Sequence, residues 1–290
     1  MRRRTLIIAL HCLLLSSILL AGSTAQRIVS TSPSITECLF ALHLGPRVVG
    51  VSVHCSYPPE VTRLPKVGTY LQPDPEAIVR LRPDLVILEP ISGTVANRLD
   101  DLHLRHLQVH NNTIEDLYQA IAQIGAAAGV PGNASVLVKH IQDSLHLTES
   151  KSSGLHRTRV LLIIGRRPGT LSDLVAVGPH NYLNRLIQIA GGTNVLDSSG
   201  LPPYPQISLE TVIRADPEVI LDLTGMDESR EVRLNERQAT EALWHERAQL
   251  RAVKANRVFE ISSTAFIVPG PRVTDVAEML FNYLHDGASQ

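Results

Sequence analysis

Short apolar runs separated by amphipathic stretches set the rhythm of the chain from Arg27 to His285. Arg27-Ile28-Val29-Ser30, the run from Val48 to Val53, Leu85 to Leu88 and Val160 to Ile164 are too short for helices and too apolar for exposed loops, so they read as buried strands. Between the first two lies Ser34-Ile35-Thr36-Glu37, which has the S-x-x-E spacing of a capping box and opens a helix that Gly45 can end in the left-handed conformation. Glu76 to Leu81 reads as a short helix after the Pro58-Pro59 loop. A helix through Leu99 and Leu102, a strand near Val109 and a helix from Thr113 to Ala128 follow. Strands alternating with helices predict a parallel sheet covered on both faces.

Pro131 to Ser153 breaks this rhythm. Leu137, Ile141 and Leu145 recur every four residues with polar residues between them, the pattern of one long amphipathic helix. At 1.5 Å per residue it spans roughly 30 Å, the width of a small domain. Alternation then resumes. A helix from Asn181 to Ala190 stops at Gly191-Gly192, and a loop covers Leu201 to Pro205. A helix from Ser208 to Ala215 leads into a strand from Val219 to Leu223. A helix around Trp244, a strand from Arg257 to Ile261 and a last helix from Thr274 to His285 complete the chain. The predicted layout is one α/β lobe over residues 26–130, a linking helix over 131–154 and a second α/β lobe over 155–290.

The two lobes share a phrase. EAIVRLRPDLVIL, starting at Glu76, returns 134 positions later as ETVIRADPEVILD, starting at Glu210. Glu76 matches Glu210, Arg80 matches Arg214 and Pro83 matches Pro217, with apolar positions in step between them. Such a repeat places one carboxylate at the start of an equivalent short helix in each lobe.

Composition narrows the class. Arg2-Arg3-Arg4, the mostly apolar run from Leu6 to Ala21 and Ser23-Thr24-Ala25 form a secretory signal over residues 1–25, cleaved near Ala25. Ser23 stands where the lipidated cysteine of a lipoprotein box would be, so the expected product is exported without a lipid anchor. Formal net charge is −1 with both signs mixed along the chain, which excludes the basic stripe of a nucleic-acid binder. Outside the signal only Cys38 and Cys55 remain, and spacing leaves open whether they form a disulfide or stay as buried thiols.

Several motifs then converge on one family. Ser32-Pro33 with Thr36-Glu37, Tyr57-Pro58-Pro59-Glu60, Leu64-Pro65-Lys66-Val67-Gly68, Pro83-Asp84-Leu85-Val86-Ile87, Ala190-Gly191-Gly192-Thr193-Asn194 and Ala252 to Val258 follow in order. In that order and spacing the chain resembles the periplasmic substrate-binding proteins of ABC importers for cobalamin, ferric siderophores and haem. The resemblance implies two Rossmann-like lobes joined by a single long backbone helix, a periplasmic location, action as a monomer, and a transmembrane permease as partner. It implies that Glu76 and Glu210 dock on permease arginines, which a carboxylate can grip bidentately. The segment from His54 to Pro59 looks most like the cobalamin branch, which makes a corrinoid the first expected ligand, with haem and then a ferric siderophore as alternatives. No resident cofactor or metal is expected.

A ligand held between lobes meets loops at the carboxyl ends of strands. Ser32, His54, Tyr57, Tyr70, Tyr204 and Arg272 are the candidates. Aromatics are only 4% of the chain, yet three of six tyrosines fall in these loops. Arg166 and Arg167 are weaker candidates for an anionic ligand. His103, His106 and His110 read as a solvated face, and Trp244 as packing within its lobe. An enzyme on the same scaffold is the rival class, but the chain has no G-x-S-x-G elbow, P-loop or G-x-G-x-x-G loop. A free transition-metal binder would need three or four converging His, Asp or Glu side chains, and the cleft loops offer one histidine.

Overall fold

The computed structural model describes residues 24–90, 93–198, 200–223 and 230–285. The proposed signal up to Ser23 lies outside them. Thr24 and Ala25 lie inside: Ala25 is 1% exposed, and its carbonyl accepts a hydrogen bond from Arg47 Nη1 at 3.1 Å. Ala25 therefore packs as part of the N-terminal lobe.

That lobe is built on four parallel strands, β1 (Ile28–Ser30), β2 (Val48–Val51), β3 (Leu85–Leu88) and β4 (His106–Gln108), in the order β2-β1-β3-β4. The C-terminal lobe contains β5 (Thr158–Gly165), β6 (Leu174–Ala176), β7 (Gly192–Asn194), β8 (Gln206–Ile207), β9 (Val219–Asp222) and β10 (Val258–Glu260). Here β10, β9, β5 and β7 run parallel. On the far edge β6 and β8 add antiparallel pairs, which the strand–helix rhythm does not predict. The cause is the connection over residues 166–173, too short for a crossover, so the chain leaving β5 returns antiparallel.

Two helix boundaries differ from expectation. The first helix covers Pro33–Ala41, and its N-cap is Ser32, whose hydroxyl accepts from the Ile35 amide. Proline suits the first helical position because its missing N–H has no partner there in any case. Ser34 is therefore already inside the helix, and Glu37 takes no part in a capping box. The left-handed residue after this helix is His43 (φ 61°), whereas Gly45 starts a 3-10 turn over Gly45–Arg47. A true capping box occurs instead at Thr113 and Asp116, opening the helix Ile114–Ala127.

The lobes are joined by the helix Pro131–Ser152. It buries Ala134, Ile141 and Leu145 and packs against Ile114–Ala127 on one side and the last helix, Val273–His285, on the other. The first of these contacts is close: a Cβ at Gly125 would lie 2.4 Å from that of Ala134. Ile28 and Leu85 of one lobe and Val160 and Val219 of the other belong to a single continuous apolar cluster through this helix. Buried apolar area of this kind is the main stabilising contribution to the fold.

The repeated phrase folds twice into the same device. Each copy is a short helix, Pro75–Arg80 or Leu209–Ala215, followed by a left-handed residue, Arg82 (φ 48°) or Asp216 (φ 40°), and then the proline. The acid after the proline receives the backbone at the entry of the neighbouring strand. Asp84 Oδ1 accepts from the Arg27 amide at 3.0 Å, and Glu218 Oε2 from the Arg159 amide at 2.8 Å. The return bonds also match, Asp84 N to Arg27 O at 2.9 Å and Glu218 N to Arg159 O at 2.8 Å. Arg27 Nη2 and Arg159 Nη2 donate to the equivalent helix-end carbonyls of Leu81 and Ala215. The repeat thus encodes how a helix hands over to a central strand.

Glu218 is held below its ordinary value of 4.5, first by the Arg159 amide bond, with His156 and Arg251 adding to it against the opposing effect of burial. A depressed carboxyl contributes stability above its unfolded value and loses it as pH falls through the folded one. Glu218→Ala should cost about 1–2 kcal/mol at neutral pH. That difference should shrink as pH falls below 4.5, and urea denaturation across the pH range measures it.

Candidate functional site

A cavity of about 640 Å³ opens between the lobes. Its N-terminal wall is made by the start of the first helix, the segments following β2 and β3, and Asn111 beyond β4. Its other wall is the stretch from Thr264 to Arg272, which leads into the last helix. Loops leaving the carboxyl ends of parallel strands meet here, as in other α/β clefts.

Tyr70 reaches the cavity from the tip of a tight turn. Gly68 enters that turn at φ 92°, and a Cβ there would sit 2.6 Å from the Gln72 carbonyl, so only glycine fits. Thr69 closes the turn by donating its amide to Gln72 O and accepting the Gln72 amide on Oγ1. The Val53 amide donates to Gly68 O at 3.0 Å, tying this turn to the segment that carries His54. The His54 and Tyr70 rings meet edge to face with centroids 6.0 Å apart. Beneath that segment, Cys55 Sγ lies 3.2 Å from Thr36 Oγ1. Cys38 and Cys55 are both free, buried thiols, and burial pushes both pKa values up. Such thiols are packing groups rather than nucleophiles.

Across the base of the cleft the two lobes are pinned. Arg272 donates from both Nε and Nη2 to the carboxylate of Glu37, with Nε to Oε2 at 2.9 Å. The side chains are 15% and 3% exposed. The guanidinium carbon also lies 4.2 Å from the centre of the Tyr57 ring. Ser34 Oγ donates to the Pro269 carbonyl at 2.9 Å, a second bond across the same gap. Burial raises the Glu37 carboxyl, the opposing pull of Arg272 being smaller. Arg272 is itself raised: burial lowers it, and the bond and charge of Glu37 outweigh that.

His54, Tyr57, Tyr70 and Arg272 line one cavity. Ser32 does not: it is buried and its hydroxyl caps the first helix. Tyr204 does not line it either. It is 41% exposed, and burial of its phenol raises that group's pKa to about 12. Arg272 lines the cavity with its guanidinium fork occupied by Glu37. Arg166 is buried in a pair with Asp222, which also accepts from Trp244 Nε1 at 2.7 Å, and Arg167 pairs with Asp173 on the surface. His106 lies on β4 and pairs with Asp100 rather than sitting on a helix. Glu76 and Glu210 are exposed in the first turns of their helices, away from the cavity, and neither forms an ion pair among the described residues.

Glu37, Glu89 and Asn111 are cavity residues that motif reading missed. For Glu37 a signal existed: Ser32-Pro33 is a stronger helix start than Ser34, and the two-residue shift turns Glu37 from cap to interior. Among the described residues no group of three or more His, Cys, Asp or Glu converges on a point that could hold a metal ion. No described helix is long and apolar enough to cross a membrane.

Comparison with known proteins agrees with this geometry. The family described as periplasmic binding protein matches residues 28–265. The vitamin B12-binding protein of Vibrio parahaemolyticus is 27% identical over 264 residues, covering 90% of each chain. An uncharacterised ABC transporter substrate-binding lipoprotein of Bacillus subtilis is also 27% identical, over 88% of this chain and 78% of its own. Among solved structures, the periplasmic haem-binding protein of Roseiflexus sp. RS-1 in its apo form superposes with a TM-score of 0.75 at 25% identity, covering 91% of this chain and 100% of that one.

The pair across the cleft makes an electrostatic prediction. Arg272→Met leaves the Glu37 carboxylate buried without its cation and should destabilise by about 3 kcal/mol near neutral pH, the low end for breaking a buried pair because Arg272 is partly exposed. A carboxyl raised on folding is stabilising when protonated and loses that contribution as pH rises. The loss in Arg272→Met should therefore shrink towards pH 4, in the same sense as the loss in Glu218→Ala, and denaturation at neutral pH and at pH 4 measures both.

Proposed function

Because the chain belongs to the periplasmic binding protein family, we propose that it captures a corrinoid, cobalamin first, between its lobes and delivers it to an ABC importer. The observation that carries the choice of ligand is the engagement of Arg272 by Glu37. Anionic ligands are gripped by guanidinium forks, and the one arginine among the described residues lining this cavity already holds a carboxylate. Beside it the tyrosine and apolar surface of Tyr57, Tyr70, Ile267 and Val268 lines the cavity, suited to a large flat ring. The vitamin B12-binding relative supports the same reading. A haem reading stands second, supported by the haem-binding neighbour and by His54 and Tyr70 standing together as possible axial groups.

Glu76 and Glu210 are the proposed contacts to the importer. Both are exposed, both start equivalent helices, and neither forms an ion pair among the described residues. The ABC transporter relative supports a permease partner. Export with cleavage near the Ala25 end of the signal, no lipid anchor, and action as a monomer complete the proposal.

Purified protein mixed separately with cyanocobalamin, haemin and a ferric siderophore, then passed through gel filtration, should retain the corrinoid spectrum. Retention of haemin alone would transfer the assignment to the second reading. Tyr57→Ala and Tyr70→Ala should each weaken corrinoid binding by roughly five- to a hundredfold, the equivalent of about 1–3 kcal/mol of aromatic contact. Calorimetric titration gives the figure.

Docking separates from capture. Glu76→Ala and Glu210→Ala should leave ligand affinity unchanged and reduce uptake, the double variant most. Charge reversal to Arg should be worse than Ala, since it sets like charges against each other. Normal transport by the double variant would end the docking assignment.

A further inference from the structure

We infer that Glu89 selects the ligand by its rim: it accepts a hydrogen bond from an uncharged N–H donor such as a carboxamide and repels a carboxylate at the same place. This rests on the corrinoid reading above and adds a residue and a chemistry to it. Glu89 immediately follows β3, is 8% exposed and lines the interlobe cavity. Asn111 lies just beyond β4, the neighbour of β3 in the sheet, so the paired strand ends bring the two side chains together. Asn111 Nδ2 donates to Glu89 Oε1 at 2.9 Å, which fixes the carboxylate. Oε2 accepts no hydrogen bond from the described residues.

A carboxylate accepts on both oxygens, and one that loses water to a bound ligand needs a donor in its place. Among the described residues the protein supplies one donor to Glu89 and no cation: the only guanidinium among those lining the cavity is that of Arg272, which is bound to Glu37. The second donor must come from what fills the cleft. A ligand rim of carboxamides can supply it. A rim of carboxylates brings like charge into contact and leaves Oε2 without a partner. Corrinoids carry carboxamide side chains around the ring and haem carries carboxylates, so one acidic residue separates two macrocycles of similar shape.

The test compares cyanocobalamin with its monocarboxylic acids, in each of which one rim carboxamide has been hydrolysed, and with haemin. Glu89→Gln keeps the size of the side chain. Its carbonyl can take the bond from Asn111, which turns its amide NH2 towards the cavity and replaces an acceptor by a donor. Wild-type protein should bind cyanocobalamin roughly ten- to a hundredfold more tightly than at least one acid isomer, the range expected when a buried polar group loses its partner. Glu89→Gln should abolish or reverse that preference and narrow the gap to haemin. Equal wild-type affinity for cyanocobalamin and every acid isomer overturns the inference, as does a preference that survives Glu89→Gln. Should that variant not fold, Glu89→Ser carries the test, and a preference that survives in it counts equally against the inference. Wild-type protein that binds none of these corrinoids overturns the corrinoid reading itself, an outcome distinct from corrinoid binding without discrimination.

Discussion

The cleft depends on one buried ion pair between lobes that share no sheet. Glu37 comes from the first helix of the chain and Arg272 from the entry to the last, and they meet across the base of the cavity. Burying two charges is costly, and their mutual attraction offsets that cost only when the geometry is good. Here it is bidentate, backed by the Tyr57 ring and flanked by the Ser34 bond to Pro269. The consequence is less about total stability than about chemistry. The pair sets the register of the two walls and removes the cation an anionic ligand would seek.

The linking helix makes that register possible. Its apolar face is held between a helix of each lobe, and Gly125 lets one of them approach to backbone distance. Bending such a helix would break its internal hydrogen bonds, so the walls of the cleft are set rather than hinged. A cavity with fixed walls selects ligands through the groups it presents. In this chain those are tyrosine rings and two carboxylates with different roles: Glu37 is satisfied from within the protein, while Glu89 keeps one oxygen for the ligand.

The repeated phrase divides into halves of different meaning. Its proline and acid serve the fold, as Asp84 and Glu218 receive the strand-entry amides in the same way. Its leading glutamates serve nothing inside the fold that the described residues reveal. A structural duplication therefore also duplicates a surface carboxylate, the symmetry that two like halves of a permease would require.

Local chemistry was enough to read the layers, the linking helix and the repeat, because apolar periodicity and Pro-acid breaks act over a few residues. The binding-protein family was also legible, since ordered motifs along the whole chain carry it. His54, Tyr57 and Tyr70 were found because loop aromatics stand out in a chain with so few. Three features were beyond that reach. The antiparallel edge of the second sheet depends on a short return that spacing alone does not orient. Ser32 reads as a cleft residue in the sequence because a serine in a loop and a serine capping a helix differ only in where the helix begins. Glu37 and Arg272 are 235 positions apart, as are Ser34 and Pro269. No local pattern can show that a carboxylate and a guanidinium so distant will neutralise each other. Apolar positions, turn chemistry and the family's motifs are all properties of neighbouring residues and can be read along the chain. Which charges find partners is not, because pairing depends on distance in space and burial, which the fold alone sets.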